Sequence, residues 1–552
     1  MKRLPLGISD YKQIIEENYY YVDKTLLIKE LLDIRAGVML LPRPRRFGKT
    51  LNLSMLRYFF EKTDKDTTHL FTSTAIWQYE EYRKFQGQYP VISVTFKDVK
   101  EKTWDSAYNK MTEIIAQEFE RHRYLLENLP ENVAQDYKRI MTQTANQTKF
   151  EGSLSFLSRL LHEYYNKRVI ILIDEYDTPV TAAYNENYYT EMIGFMRSLL
   201  TSALKDSKVL ELSVVTGIYR VAKESIFSGL NNLTVGSVMS YFIEDKFGFT
   251  QSEVKQLLKD QKLSDKLDDV RQWYNGYMFG NATVYNPWSI VQCAFERGLL
   301  KSYWLNTSDN KLIQKLLERA PDDVKSQFEL LLMGQSVNRE VSEAIIFPGI
   351  ENDERAIWSL LLFSGYLTYT QQQLTDAITT CDLIIPNKEV KVLYTSFIRD
   401  VMQKALTQKN VTILLKALAE GDVKTFAQLL QHFVVDTMSS FDFSDSEPEK
   451  SYHLFILGLL VYLHDTHEIK SNRESGYGRY DIMIIPRAPN KLATVIEFKK
   501  VEGKEKLETA CQRALDQIKN KEYVSELRSR GIKKIQLLGI AFKGKKLLVK
   551  AA

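Results

Sequence analysis

Across the first 285 or so residues, short uncharged apolar runs alternate with stretches whose apolar positions recur at helical spacing. The runs occupy residues 38–41, 91–96, 169–173 and 209–215, and all but the last lack a charge. Strands covered on both faces of a parallel sheet read this way, and their alternation with helices predicts an α/β domain. Residues 291–445 read as mainly helical. Within them a helix (356–363), two strands (365–370 and 381–386) and a further helix from Glu389 predict a helix–hairpin–helix element. From 446 the pattern changes again, with an apolar helix at 452–463, strands at 480–485 and 494–498, a helix near 505–525 and a last strand at 535–542. That last part predicts a small α/β unit of its own. No internal repeat or long low-complexity linker interrupts the chain.

The junction after the first run carries chemistry. Arg43-Pro-Arg-Arg-Phe-Gly48-Lys49-Thr50 lies between run 38–41 and a predicted helix from Leu51. A strand, a loop and a helix N-terminus form an anion site, because backbone N–H groups and the helix dipole both face the ligand. Lys49 would reach the terminal phosphates and Thr50 would hold Mg²⁺. The usual pattern opens on Gly, and here Arg43 stands in its place, so the stretch also reads as a basic patch. The carboxylates Asp174 and Glu175, which close run 169–173, favour the nucleotide. Asp174 would order the cation through its waters, and Glu175 would polarise an attacking water. Thr216 ends the fourth run where a γ-phosphate sensor would sit. Arg220, slightly further on, is a candidate phosphate-contacting or trans-acting arginine. The candidate nucleotide-binding set is Arg45, Arg46, Phe47, Gly48, Lys49, Thr50, Leu51, Asp174, Thr216 and Arg220, with Thr50 and Asp174 on the metal.

These stretches, with Tyr21-Val-Asp-Lys-Thr25, Ile173-Asp-Glu-Tyr-Asp177, Phe227-Ser-Gly-Leu-Asn-Asn-Leu233, Trp273-Tyr-Asn-Gly-Tyr277 and Tyr285-Asn-Pro-Trp-Ser289, resemble the bacterial AAA-ATPase-like family over residues 1–290. In that family the arginine-rich form of the loop is usual. The resemblance implies a P-loop NTPase parallel sheet and ATP as ligand. The helix–hairpin–helix of the middle region is compatible with a winged-helix-like element, which either binds DNA or packs on an ATPase core; a plain connector stands beside that reading.

A second constellation lies near the end, in Arg473-Glu474-Ser-Gly476-Tyr-Gly478-Arg479-Tyr480-Asp481 and Val495-Ile-Glu497-Phe-Lys499. Asp481 and Glu497 on neighbouring strands of a hairpin would stand side by side, two hard oxygen ligands suited to Mg²⁺ or Mn²⁺. Lys499 shares the face of Glu497 by the two-residue period, whereas Lys500 points away. Lys499 can position the attacking water and offset developing charge. Glu474 is a further ligand or a partner for Lys499. The helix that follows has apolar residues at Leu507, Ala510, Cys511, Ala514, Leu515 and Ile518, with Gln517 at the edge of that stripe. An ordinary surface hairpin with a salt bridge is the plainer reading. The arrangement resembles the PD-(D/E)XK nuclease superfamily over 446–552. The resemblance maps its core residues onto Asp481, Glu497 and Lys499, its helix glutamine onto Gln517 and its upstream acid onto Glu474. Tyr480 stands where the superfamily's name has proline.

Composition adds limits. At 552 residues, two to four domains are expected. Three scattered cysteines (Cys293, Cys381 and Cys511) offer no disulfide framework or zinc pattern and suit a reducing compartment. No signal peptide opens the sequence and no apolar run approaches a membrane span, so a cytoplasmic protein without a membrane partner is expected. Residues 465–552 hold 20 Lys/Arg against 11 Asp/Glu, a net +9, which leaves −5 on the rest of a chain of net +4. A basic segment faces phosphate or is a solvated lysine-rich surface. His453, His464 and His467 lack a convincing third ligand and read as core or surface histidines. The expected protein couples an ATPase to a metal-dependent nuclease acting on nucleic acid, DNA before RNA. A nucleotide-dependent nucleic-acid-binding switch is the alternative, and homo-oligomerisation is compatible with either.

Overall fold

A computed structural model describes all of the chain except residues 1, 222–225, 228–229, 231, 305–321, 346, 348–349, 351–352, 406–407, 441–457, 460–461, 464–465, 476–477, 489, 502–503 and 521–523. For residues 322–323, 325–326, 399–409, 436–440 and 471–480 it describes the backbone alone. The chain divides into two units, one of Met1–Ser308 with Asn338–Val390 and the other of Asp309–Val337 with Lys391–Ala552.

The first unit is built on a parallel sheet of β1 (Val38–Pro42), β2 (Val91–Thr95), β3 (Val169–Asp174), β4 (Leu210–Gly217) and β5 (Leu233–Val235), in the order β2–β3–β4–β1–β5. Every neighbouring pair is parallel. Strands β1 and β3 are buried along their whole length, which is why their sequences carry no polar alternation. The four apolar runs of the sequence are four of these strands. The fifth, β5, is three residues long and too short to announce itself by periodicity. β2 is an edge, and the helix Trp104–Arg121 covers it with charge. Glu118 accepts from Ser93 N (2.8 Å), Arg121 donates to Val91 O, and His122 Nε2 lies 3.2 Å from the same carbonyl. Edge groups used in this way cannot template another chain.

All parallel strands end at one rim, so Pro42, Thr95, Asp174 and Gly217 finish at the same side of the sheet. Helix α1 (Lys49–Phe60) starts there, and so does the loop that carries the arginines.

The helix–hairpin–helix order expected of the middle region is present. A helix at Glu354–Phe363 leads into β7 (Thr368–Thr375) and β8 (Ile378–Ile384), which pair antiparallel, with β6 (Val337–Val341) beyond β8. Helix Lys388–Ala405 follows. The hairpin is longer than its apolar residues suggest. Its turn is Asp376-Ala377, both at positive φ (50° and 64°), the two-residue geometry whose twist matches that of paired strands. The polar run Gln371–Gln373 within it hid the strand. Residues 368–384 contain two aspartates and no Lys or Arg. The element packs on the part of the first unit that carries the arginine loop: Tyr369 Oη donates to Val238 O and Gly280 O (3.2 Å each), and Gly365 lies against Pro44 of the loop.

In the second unit, β9 (His467–Ser475), β10 (Gly478–Pro486), β11 (Ala493–Lys500), β12 (Ile535–Lys543) and β13 (Lys546–Ala551) form a sheet in that order. β11 and β12 are parallel and the other pairs antiparallel. The crossover between the parallel pair is helix Leu507–Asn520. It buries Ala510, Cys511, Ala514, Leu515 and Ile518 as its stripe predicts. It lies so close to β12 that a Cβ on Gly539 would stand 2.5 Å from Cys511 O. Two strands have no counterpart in the expected elements: β9, whose residues are largely polar, and β13, a short run closed at both ends by lysines. The three cysteines are buried and free, and among the described residues no helix is long and apolar enough to cross a membrane. The apolar helix at 452–463, His453, His464 and Gly476 lie wholly or mostly outside the described residues. His467 is buried, its ring bonded to Thr466 Oγ1 (2.8 Å), and reads as a core histidine.

Candidate functional site

The first unit gathers candidate residues at the rim where β1, β3 and β4 end. Gly48, at φ 84°, caps α1, and the helix's own ladder begins with Asn52 N donating to Gly48 O (3.0 Å). Amides of the preceding residues therefore lie outside that ladder and face the loop. Asp174, at the end of β3, accepts a hydrogen bond on each oxygen, from Thr50 Oγ1 and from Thr216 Oγ1, both at 2.7 Å. Thr95 Oγ1 lies 3.4 Å away, a neighbour the sequence did not suggest. Lys49 Nζ donates to Arg43 O and Pro44 O (3.1 and 3.2 Å) and stands 3.2 Å from Glu175 Oε1.

Two adjacent carboxylates thus meet different surroundings. Burial, then the charge of Glu175, raises the Asp174 carboxyl above its usual range. Burial would raise Glu175 too, but the Lys49 ammonium and then Arg45 hold it below. Glu175 sits at φ 53°, a strained position for a residue with a side chain, and that backbone turn aims it at Lys49.

The loop arginines separate into three roles. Arg43 is wholly buried. Its guanidinium donates to Pro42 O, Gly236 O and Ile243 O, and it faces the rings of Phe247 (5.0 Å) and Phe279 (5.2 Å). Burial pushes it down to about 9, so it still carries charge at neutral pH. A side chain locked among carbonyls cannot serve a phosphate; it fixes the loop that glycine would leave free. Arg46, at φ 68°, lies over the Trp288 ring (4.3 Å). The charge of Arg45 helps hold Glu175 down, and Glu175 in turn acts on Arg46. The Phe47 side chain is core, packed on Tyr277 and Phe279, and Leu51 is half-buried on α1. Arg220 begins a two-residue strand paired with Ala344–Ile345 and makes no hydrogen bond to the Lys49–Asp174 cluster. Asp177, which sequence reasoning quoted without a role, is buried beside that cluster. Its Oδ2 accepts from Ile218 N and Tyr219 N (2.8 and 3.0 Å), and a Cβ on Gly217 would meet its Oδ1 at 2.4 Å.

In the second unit Asp481 and Glu497 are neighbours across β10 and β11, next to the pair Ile482↔Ile496. Asp481 lies inside its strand rather than at the start. Its Oδ2 accepts from Phe498 N (2.6 Å). Glu497 is 2% exposed; its Oε1 accepts from Lys499 Nζ (2.8 Å) and from Gln517 Nε2, and its Oε2 is buried with no hydrogen-bond partner among the described residues. Burial, then the charge of Asp481, pushes Glu497 up to about 7. Burial raises Asp481 as well. A buried orphan oxygen is costly, and a cation beside Asp481 is what would satisfy it and relieve the repulsion. The residues present therefore fit a divalent metal, with two carboxylates and the remaining positions left to water. No cluster of three or more His, Cys, Asp or Glu occurs among the described residues. Lys499 shares the face of Glu497, and Lys500 is exposed, as the two-residue period requires. The backbone of Glu474 pairs with Arg479 in β9–β10, and its side chain lies outside the described residues.

Family comparisons agree with both halves. Residues 5–227 match the family model described as a predicted AAA-ATPase, and residues 447–552 match the PD-(D/E)XK nuclease superfamily model. The chain carries an AAA-ATPase-like domain and a PD-(D/E)XK nuclease-superfamily domain. The parallel sheet with α1 is the P-loop arrangement, and the mixed sheet of the second unit is the nuclease-like α/β fold. The chain is also 26% identical over 555 residues to an uncharacterized protein in the vnfD 5' region of Azotobacter chroococcum mcd 1, covering 98% of this chain and 96% of that one.

Proposed function

We propose that the protein binds and hydrolyses ATP at the Lys49–Asp174 site and cleaves nucleic acid at the Asp481–Glu497 site. The observation that carries the nuclease reading is the unpartnered Oε2 of buried Glu497, beside Asp481 and with Lys499 on the same face. Asp481 and Glu497 would hold Mg²⁺ or Mn²⁺. Bound there, the metal supplies Lewis-acid polarisation of a phosphodiester oxygen and a more acidic water. Lys499 orients the attacking water and offsets charge on the phosphate oxygens. Gln517 holds Glu497 Oε1 from the crossover helix and so keeps Oε2 turned to the ligand. The basic charge of the segment attracts the polyanion.

At the first site the loop amides and Lys49 would receive the phosphates, and Thr50 with Asp174 would hold the nucleotide's Mg²⁺. Glu175 takes the proton of the attacking water once phosphate has drawn Lys49 from it. The contact of Lys49 with Glu175 favours one alternative, a nucleotide-dependent switch with slow turnover, because the base starts paired. Cleavage of single- and double-stranded DNA and RNA with Mg²⁺ or Mn²⁺, with and without ATP, tests the reading. Wild type that leaves every substrate uncut, as Glu497→Ala does, removes the nuclease function. ATP binding by wild type beside Lys49→Ala tests the other half.

A further inference from the structure

Trp288 belongs to the stretch Tyr285-Asn-Pro-Trp-Ser289, to which neither site assigns a role. It is the second residue of helix Pro287–Phe295, with proline at the first position and buried Asn286 as cap, accepting from Ser289 N (3.2 Å). Its indole Nε1 donates to Tyr303 O (3.4 Å), and the ring packs against a buried cluster that includes Val254, Tyr274 and Ile290. The ring is therefore fixed on one side by the fold. Arg46 of the phosphate loop covers it on another, at 4.3 Å. Among the described residues no carboxylate lies within ion-pair distance of Arg46; the charge of Glu175 acts on it from further off, and the indole face is its near contact.

We propose that this face of Trp288 is the stacking platform for the purine base of the nucleotide whose phosphates the loop receives, and that Arg46 leaves the ring for the phosphates on binding. The proposal rests on reading the loop as a nucleotide site. Distance supports it. The ring lies 4.3 Å from the guanidinium of a residue of the loop itself, so it borders the place where the phosphates would be received. Chemistry supports it as well. A guanidinium and a purine are both flat and both stack on indole, so a site that accepts one accepts the other. Phosphate gives the displaced Arg46 a stronger, charge-assisted partner than an aromatic face. The fixed ring needs little ordering on binding.

Binding of ATP and of inorganic tripolyphosphate to the full chain, each with Mg²⁺, tests this by calorimetry. Wild type should bind ATP at least about tenfold more tightly than tripolyphosphate, the base contributing the difference. Trp288→Leu should erase that advantage by weakening ATP binding while tripolyphosphate binds no more weakly than to wild type, whereas Trp288→Phe should restore most of it. The change in tryptophan emission on adding ATP should be lost in Trp288→Phe. Equal affinity of wild type for the two ligands overturns the platform, even where Trp288→Leu does not fold. So does wild-type ATP affinity in a folded Trp288→Leu. If wild type binds neither ligand, the nucleotide reading of the loop fails first and the platform with it.

Discussion

The two carboxylate pairs resolve the same electrostatic problem in opposite ways. Asp174 and Glu175 are adjacent in sequence, yet the backbone turn at Glu175 sends them to different partners, two hydroxyls for one and an ammonium for the other. Asp481 and Glu497 lie sixteen residues apart and are brought together by strand pairing, where Lys499 offsets part of the charge and one buried oxygen stays unpaired. The first pair is nearly self-sufficient, and the second would be completed by a cation. A ligand at the first site must compete with internal partners. At the second it fills a need.

The largest effect that can break this contrast is at Glu497. Glu497→Gln should lower cleavage on the order of 10²–10³-fold, measured with saturating metal, and leave ATP binding intact. Activity near wild type would mean that the buried pair is structural. Next, Arg43→Met keeps a long apolar stem and strips three carbonyls of their donor. It should destabilise the first unit on the order of 3 kcal/mol in urea unfolding while the second unit keeps its midpoint. Lys49→Ala should weaken ATP binding roughly 10- to 100-fold, the worth of a lost charged hydrogen bond, and leave metal-dependent cleavage without ATP unchanged.

A smaller effect concerns Glu389. It is fully buried, accepting from Ser289 Oγ (2.8 Å), Tyr303 N (2.7 Å) and Trp304 N (2.8 Å), and burial pushes it up to about 7. The folded state then holds this proton more tightly than the unfolded chain, whose carboxyl titrates near 4.5. Stability from this group is present below that value and is lost as pH rises to about 7, roughly 1–3 kcal/mol between pH 4.5 and 8. Urea midpoints across that window should show the loss in wild type and not in Glu389→Gln. Smallest of all, Arg220→Ala should change ATP affinity by less than about twofold, because its side chain makes no hydrogen bond to the Lys49–Asp174 cluster.

Much of this was legible in the sequence, for reasons that differ by region. Buried parallel strands reveal themselves as uncharged runs, so four of the five strands of the first sheet and the chemistry at their ends could be read directly. The two-residue period placed Lys499 with Glu497 and turned Lys500 away. The helix stripe placed Gln517 at the edge from which it reaches Glu497. What escaped was set by tertiary contact. No periodicity marks a three-residue strand such as β5 or a Gln-rich hairpin. Nor could local pattern tell that, of three arginines in one loop, Arg43 would turn inward to three carbonyls and Arg46 would lie on Trp288. Thr95 comes from a strand distant in sequence, and Asp177, though close to Asp174 in the chain, takes its partners from the distant turn at Ile218 and Tyr219; single-residue signals do not carry that proximity.

The anchoring of the loop has a consequence for portability. Its shape is not written in residues 42–50 alone, because Arg43 takes its acceptors from Gly236 and Ile243, and Pro44 lies against Gly365. A glycine-rich phosphate loop can be transplanted as a short peptide between scaffolds with the same strand and helix. This one would arrive without its moorings. Its working unit spans more than 300 residues of chain, and a change at Gly365 should be felt at the nucleotide as surely as one within the motif.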